Sequence, residues 1–255
     1  VSCQRGKHVL AADIAAWTDQ QHEDDCCSFA KENIEVVHSN GIENDIRPEK
    51  RRRLSRSGPS SLVSADTAVR TTTGVRAVCE RLVAKLPKGA FRDAVRADAE
   101  SLAASMMRMC PGVPYLTLQL EIIGHNRCAR WHQDYYAGRM LITYNQPSTW
   151  MVADKSVNFA MFEDVVGLPN AVSDPLVVPN YDSIYQPPPN SIVLIKGNFW
   201  PGIDQSKNGM GVVHKSPTMR EDVNGDPVKK RLVLKVDLSH EPPGEDHHDE
   251  EEVEE

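Results

Sequence analysis

The stretch Pro111-Gly112-Val113-Pro114-Tyr115-Leu116-Thr117-Leu118-Gln119-Leu120-Glu121-Ile122 decides the fold class. Leu116, Leu118, Leu120 and Ile122 alternate with Thr117, Gln119 and Glu121, the period-two pattern of a strand with one apolar face. Upstream of the Pro-Gly break the period is helical. Val75, Val78, Cys79, Leu82 and Leu86 form one stripe that stops at Pro87-Lys88-Gly89, and Phe91, Val95, Leu102, Met106 and Met109 form a second that stops at Pro111-Gly112. Both stripes predict core faces. Further strands are expected at 140–144, 191–196, 211–214 and 232–238. Helices first and many strands after predict an α+β domain whose strands form a sandwich or small barrel with the helices packed outside and one ligand pocket enclosed.

The chain of 255 residues holds one sizeable domain plus tails, and its 40% hydrophobic content is slightly low for a wholly packed protein. Residues 1–74 read as a largely flexible arm with a short helical candidate at 9–17, residues 75–240 as the domain, and residues 241–255 as a disordered acidic tail. Nine of the 36 acidic residues and none of the 29 basic ones lie in that tail, so the remaining chain carries +2 although the whole carries −7. The tail's His247-His248 pair reads as solvated. In the arm, Arg47-Pro48-Glu49-Lys50-Arg51-Arg52-Arg53-Leu54-Ser55-Arg56 is compatible with a nuclear-import signal, a nucleic-acid patch, a kinase site at Ser55 or a plain solvated linker. No aromatic residue is interleaved with it, so single-strand stacking is not supported and nucleic acid is not an expected partner.

The stretch Arg130-Trp131-His132-Gln133-Asp134-Tyr135-Tyr136 points to chemistry. On a strand, positions i and i+2 share a face, so His132 and Asp134 would present an imidazole nitrogen and a carboxylate oxygen to one ion. A third ligand is offered 82 residues on by His214, in Met210-Gly211-Val212-Val213-His214-Lys215-Ser216-Pro217, where a short apolar run ends in a turn. Two histidines and one carboxylate on one face of an ion leave room for a cosubstrate and O₂, the arrangement of Fe(II) oxygenases. Zinc accepts the same donors. His125 and Asp154 pair with no second ligand and read as surface or loop residues.

Other features bound the setting. Six cysteines, Cys3, Cys26, Cys27, Cys79, Cys110 and Cys128, show no CxxC pairing, which suits an intracellular reducing compartment, cytoplasmic or nuclear. Cys128 lies four residues before His132 but reads as a small packed residue. No membrane-spanning run or signal-peptide pattern is evident, and no membrane partner is expected. The long segment 145–190, with Trp150, Phe159, Phe162 and Tyr185, is either a substrate-covering loop or a decorated connection, and a second loop at 200–209 leads towards His214.

Taken together, Cys128-Ala129-Arg130-Trp131-His132-Gln133-Asp134, Arg139-Met140-Leu141, Lys196-Gly197 with Trp200-Pro201, Val213-His214-Lys215-Ser216-Pro217 and Arg231-Leu232-Val233-Leu234-Lys235-Val236-Asp237 resemble the domain-of-unknown-function 1826 family over roughly residues 90–240. The resemblance implies a distant relationship to the Fe(II)/2-oxoglutarate oxygenases and their double-stranded β-helix, a cupin-like jelly-roll barrel. It also implies a link to metal homeostasis, because bacterial members tend to occur beside zinc-handling proteins. It further implies Fe(II) as metal, 2-oxoglutarate as cosubstrate, and hydroxylation or demethylation of an unidentified small-molecule or protein substrate.

On that reading the distal carboxylate of 2-oxoglutarate needs a cation inside the barrel. Arg231 is the candidate because an arginine fork pairs a carboxylate through two parallel hydrogen bonds. Ser216 belongs to the same cofactor-binding set. The gap from His214 to Arg231, 17 residues, is longer than such enzymes use, and the insertion 218–229 with its Asn224-Gly225-Asp226-Pro227 turn would absorb it. Strand parity raises an objection. Leu232, Leu234, Val236 and Leu238 share one face, which leaves Arg231 on the other and Lys230 with the leucines. Either the barrel interior is the mixed face, or Lys230 or Arg139 is the anchor, or Arg231 serves a structural ion pair. Trp131, Tyr135, Tyr136 and Trp150 are candidates for the pocket wall or for core. Two other classes stay open: a non-redox zinc or iron module, and a regulatory scaffold that binds no metal.

Overall fold

The computed structural model describes residues 2–4, 14, 16–18, 28–36, 68–69, 72–123, 128–146, 148–162, 164–202, 211–217 and 230–242. The basic run at 47–56, His125 and all but the first two residues of the acidic tail lie outside the described residues.

Both expected helices are present. Helix α1, Thr72–Leu82, buries Val75, Val78, Cys79 and Leu82. Helix α2, Ala90–Met109, begins after Gly89, whose φ of 120° favours glycine, and buries Phe91, Val95, Ala99, Leu102, Ala103 and Met106. Met109 was expected on this stripe but is exposed. From Met106 the inward direction is next met at Cys110, four residues on and fully buried.

The strands are β1 (Ser2–Gln4), β2 (Ser28–Val36), β3 (Ala68–Val69), β4 (Tyr115–Ile123), β5 (Gly138–Thr143), β6 (Trp150–Val152), β7 (Ile184–Tyr185), β8 (Ser191–Lys196), β9 (Val213–Lys215) and β10 (Arg231–Ser239). Seven form one sheet in the order β1-β8-β5-β10-β4-β2-β3, antiparallel except for the β2–β3 pair; three form a second antiparallel sheet, β7-β6-β9. The fold is thus α+β with two sheets, and among the described residues no barrel closes. Strands β1 and β3 occupy the outer edges of the large sheet, where closure onto the small one would have to occur. These strands, with β2 and the buried Ile14 and Ile34, come from the stretch read as an arm; residues 14 and 16–18 are helical.

The large sheet has two unlike faces. Leu116, Leu118, Leu120 and Ile122 of β4 and Leu232, Leu234, Val236 and Leu238 of β10 pack in one core with the stripes of α1 and α2. Each such leucine contributes roughly 1.5–3 kcal/mol by leaving water. The opposite face is mixed. Val233, Leu141, Val193, Ile195 and Ile123 meet Met151 and Val212 of the smaller layer, and the charged residues Arg139, Lys235 and Asp237 share its parity. This mixed face lies between the sheets, which resolves the parity objection: the leucine face belongs to the helices, and Arg231 points to the inter-sheet side.

The segment 145–190 is more structured than a loop. It holds β6, β7, α3 (Phe159–Phe162) and α4 (Asn170–Val177). Val152, Trp150, Phe159, Phe162, Val165 and Val177 form a third core with Trp131 and Val213 on the outer side of the small sheet. Trp150, Phe159 and Phe162 of this segment back the small sheet, whereas Tyr185 is exposed. No helix among the described residues is long and apolar enough to cross a membrane.

Candidate metal centre

His132 and His214 are brought together by backbone. His132 forms an isolated antiparallel bridge to His214, with hydrogen bonds from His132 N to His214 O of 2.9 Å and from His214 N to His132 O of 3.0 Å. Facing residues of a bridge project to one side, so the two rings lie with centroids 4.3 Å apart. Asp134 is not on a strand as expected, because the chain leaves the sheet after His132. A neighbouring loop holds it instead. Asn198 N donates to Asp134 O at 2.9 Å, Phe199 N to Tyr136 O at 3.1 Å, and Gly197 N to Ala137 O at 3.2 Å. Gln133 Nε2 donates to Gly211 O at 2.7 Å, and Gly211 N to Asn198 Oδ1 at 2.9 Å. Only glycine fits at 197, where an added Cβ would overlap the Tyr136 carbonyl group.

The ring orientations are set by carbonyls. His132 Nδ1 lies 2.8 Å from Arg130 O and His214 Nδ1 lies 2.9 Å from Val212 O. A carbonyl only accepts, so each Nδ1 carries a proton, and each Nε2 is turned inward, where a neutral ring offers its lone pair. Those lone pairs face a carboxylate: His132 Nε2 is 3.9 Å from Asp134 Oδ1, and His214 Nε2 is 3.5 Å from Asp134 Oδ2. One ligand atom from each residue lies within 4.8 Å of the others. Buried acceptors facing an acceptor are unfavourable unless a cation sits between them. His214 Nε2 is buried without a hydrogen-bond partner, and Asp134 Oδ2 is buried beside the Arg139 guanidinium. The donor set therefore fits a divalent ion.

The electrostatics favour neutral His214 and ionised Asp134. Burial, against the pull of Asp134, pushes His214 down to about 4. Burial pushes the Asp134 carboxyl up, but Arg139, His214, His132 and Lys235 together outweigh it and hold the carboxyl below its ordinary value. Arg139 is the main opposing charge. Its Nη1 stands 3.1 Å from Asp134 Oδ2, while Nε and Nη2 grip Asp237 at 2.7 and 3.0 Å. The Asp237↔Arg139 register of β10 on β5 makes that grip a direct cross-strand pair.

Arg139, an alternative anchor in the sequence, is thus already committed to the carboxylates of Asp134 and Asp237. Arg231 is 1% exposed; its Nη2 donates to Ser216 Oγ at 3.2 Å and its Nε has no partner. No carboxylate among the described residues forms an ion pair with it, and burial pulls its pKa down to about 10. Lys230 precedes β10, and its carbonyl accepts from Asn145 Nδ2 at 2.8 Å. The structure therefore joins His132, Asp134 and His214 in one cluster and Arg231 with Ser216 in another two residues along from His214.

Several candidates are displaced. Trp131 and Trp150 lie behind the small sheet with Lys215, not beside the triad. Tyr136 stacks its ring 5.0 Å from the Arg139 guanidinium. Tyr135 is 75% exposed and touches Phe199, centroids 6.2 Å apart. Cys128, expected to pack, is exposed with φ 56°, its carbonyl accepting from Ser216 N at 2.8 Å. Asp154 sits exposed in a 3-10 turn. Sequence reasoning missed Asp237 and the glycines at 197 and 211. For Asp237 the signal was its parity with Arg231, Val233 and Lys235.

No curated protein matches the chain. The family described as "Protein of unknown function (DUF1826)" matches residues 31–237, and the chain belongs to that family.

Proposed function

We propose that the protein is a non-haem Fe(II)-dependent oxygenase that uses 2-oxoglutarate to oxidise a small-molecule or protein substrate. The observation that carries this reading is the convergence of His132 Nε2, His214 Nε2 and the Asp134 carboxylate on one point, with His214 Nε2 buried and without a hydrogen-bond partner. Two histidines and one carboxylate would hold Fe(II) on one face and leave the other open. Iron bound there supplies the redox chemistry that inserts one atom of O₂ into the substrate and one into succinate, with loss of CO₂.

The chain's own residues would bind and orient. Arg231, a buried cation short of an anion, and Ser216 would take the distal carboxylate of 2-oxoglutarate. Arg139, itself held by Asp237, would keep Asp134 ionised, and the inter-sheet apolar residues would exclude water. The strand path supports a jelly-roll relationship. From β4 the chain passes to the His132 bridge beside the small sheet, back to β5, out to β6 and β7, back to β8, out to β9 and back to β10.

A second reading is a non-redox zinc or iron module in metal homeostasis, favoured by a donor set that zinc accepts equally. An anaerobic titration of Fe(II)-loaded protein with 2-oxoglutarate separates the two. A saturable visible charge-transfer band, weakened by Arg231→Ala with iron retained, is expected for the oxygenase. Absence of a band from protein holding one iron favours the module. Failure of the wild type to hold metal, or metal retained in full by both His132→Ala and His214→Ala, refutes the centre itself.

A further inference from the structure

Lys215 is fully buried, yet it lies on the face of β9 opposite His214. Its Nζ pairs with Asp174 of α4 and stands 5.5 Å from the Trp131 ring and 5.6 Å from the Trp150 ring. The arrangement follows from register. Trp150 is the β6 partner of Lys215, and the His132↔His214 bridge sets Trp131 on its other side. Three adjacent chain segments thus present Trp131, Lys215 and Trp150 in a row, and Asp174 closes the row from above.

Such a device is a poor source of stability. Desolvating an ammonium and a carboxylate costs several kcal/mol per ion, and apolar replacements of a buried pair are often neutral or stabilising. The surroundings repay little of that cost, since Asp174 Oδ1, Ser173 Oγ, Trp131 Nε1 and Trp150 Nε1 are all buried without hydrogen-bond partners. What the row does is fix geometry. Trp131 precedes His132, and Lys215 follows His214, so each histidine of the centre has a member of the row as its chain neighbour on the reverse face. A cation held between two indoles resists rotation or sliding of β9 against the His132 segment, because either motion withdraws Nζ from a ring face or from Asp174.

We infer that Lys215, clamped by Asp174, Trp131 and Trp150, is a positioning residue that sets the mutual placement of His132 and His214 and thereby metal affinity. The inference rests on the metal-centre reading. It couples the docking of α4 on the reverse face to the state of the centre, with no residue of α4 touching the ion.

The test uses the full chain and the double variant Lys215→Met/Asp174→Leu, which removes both charges at similar volume. Urea unfolding, Co(II) affinity by chelator competition and the visible spectrum of the Co(II) form are read together. Expected are an unfolding midpoint near wild type, Co(II) binding weakened on the order of tenfold, the lower end for groups that orient metal ligands, and altered Co(II) bands. Should that variant not fold, Trp150→Phe decides, with weaker binding and shifted bands expected again. Unchanged affinity and spectrum in a folded variant, with wild type binding normally, overturn the clamp alone. A wild type that binds no Co(II) overturns the clamp together with the centre.

Discussion

Replacing Gly197 by alanine should loosen the Asp134 loop, although no side-chain function is removed. The added Cβ would overlap the Tyr136 carbonyl oxygen, lie 2.8 Å from its carbon and come 3.2 Å from Asp134 O. These are backbone atoms and cannot swing away as a side-chain end would. Two responses are available. If the loops stay together, the overlap is absorbed as strain, typically about 1–3 kcal/mol for overpacking. If they part, the bonds from Gly197 N, Asn198 N and Phe199 N are lost, and at about 1 kcal/mol each the loss is roughly 3 kcal/mol. Either route predicts destabilisation of about 2–3 kcal/mol by urea unfolding, together with weaker metal binding, because Asp134 loses its brace. Gly202→Ala is the control: its φ of 83° imposes backbone strain, yet nothing lies within 4 Å of its added Cβ, so metal affinity should not change. Gly197→Ala at wild-type stability and metal affinity would refute the argument that the loop positions Asp134.

Three further outcomes are expected. His214 titrates near 4 in the folded chain against about 6.5 when unfolded, so between those values the unfolded chain binds the extra proton. Metal-free protein should therefore lose on the order of 3 kcal/mol as pH falls through that window; a His214→Ala variant with the same pH slope by chemical denaturation would contradict this. Arg231→Met removes a buried cation that has no carboxylate partner among the described residues, so the metal-free variant should be at least as stable as wild type while no longer binding 2-oxoglutarate; marked destabilisation would show that Arg231 is a structural ion-pair member. Under native conditions a thiol reagent followed by peptide mapping should label the exposed Cys128 but not Cys110 or Cys79, whose thiol burial pushes up to about 12; early labelling of Cys79 would show that α1 opens readily.

The sequence alone determined what local pattern can carry. The leucine alternation of β4 and the stripes of α1 and α2 are short-range periodicities, and each predicts one buried face without reference to the rest of the chain. The cluster of His132, Asp134 and His214 could be proposed from local sequence, but Asp134 reaches it from a loop braced by residues 197–199 and not by strand spacing. Tertiary structure decided what covers the second face. The alternation of β10 could not say whether leucines or charges faced the inter-sheet space until the helices took the leucine side. Likewise Arg139 and Asp237, 98 residues apart, and Lys215 and Asp174, 41 apart, are bound by register and docking that no local period encodes. A strand's period of two assigns residues to opposite sides, but which side is solvent, core or site depends on the element that packs there, and that is a property of the assembled layers.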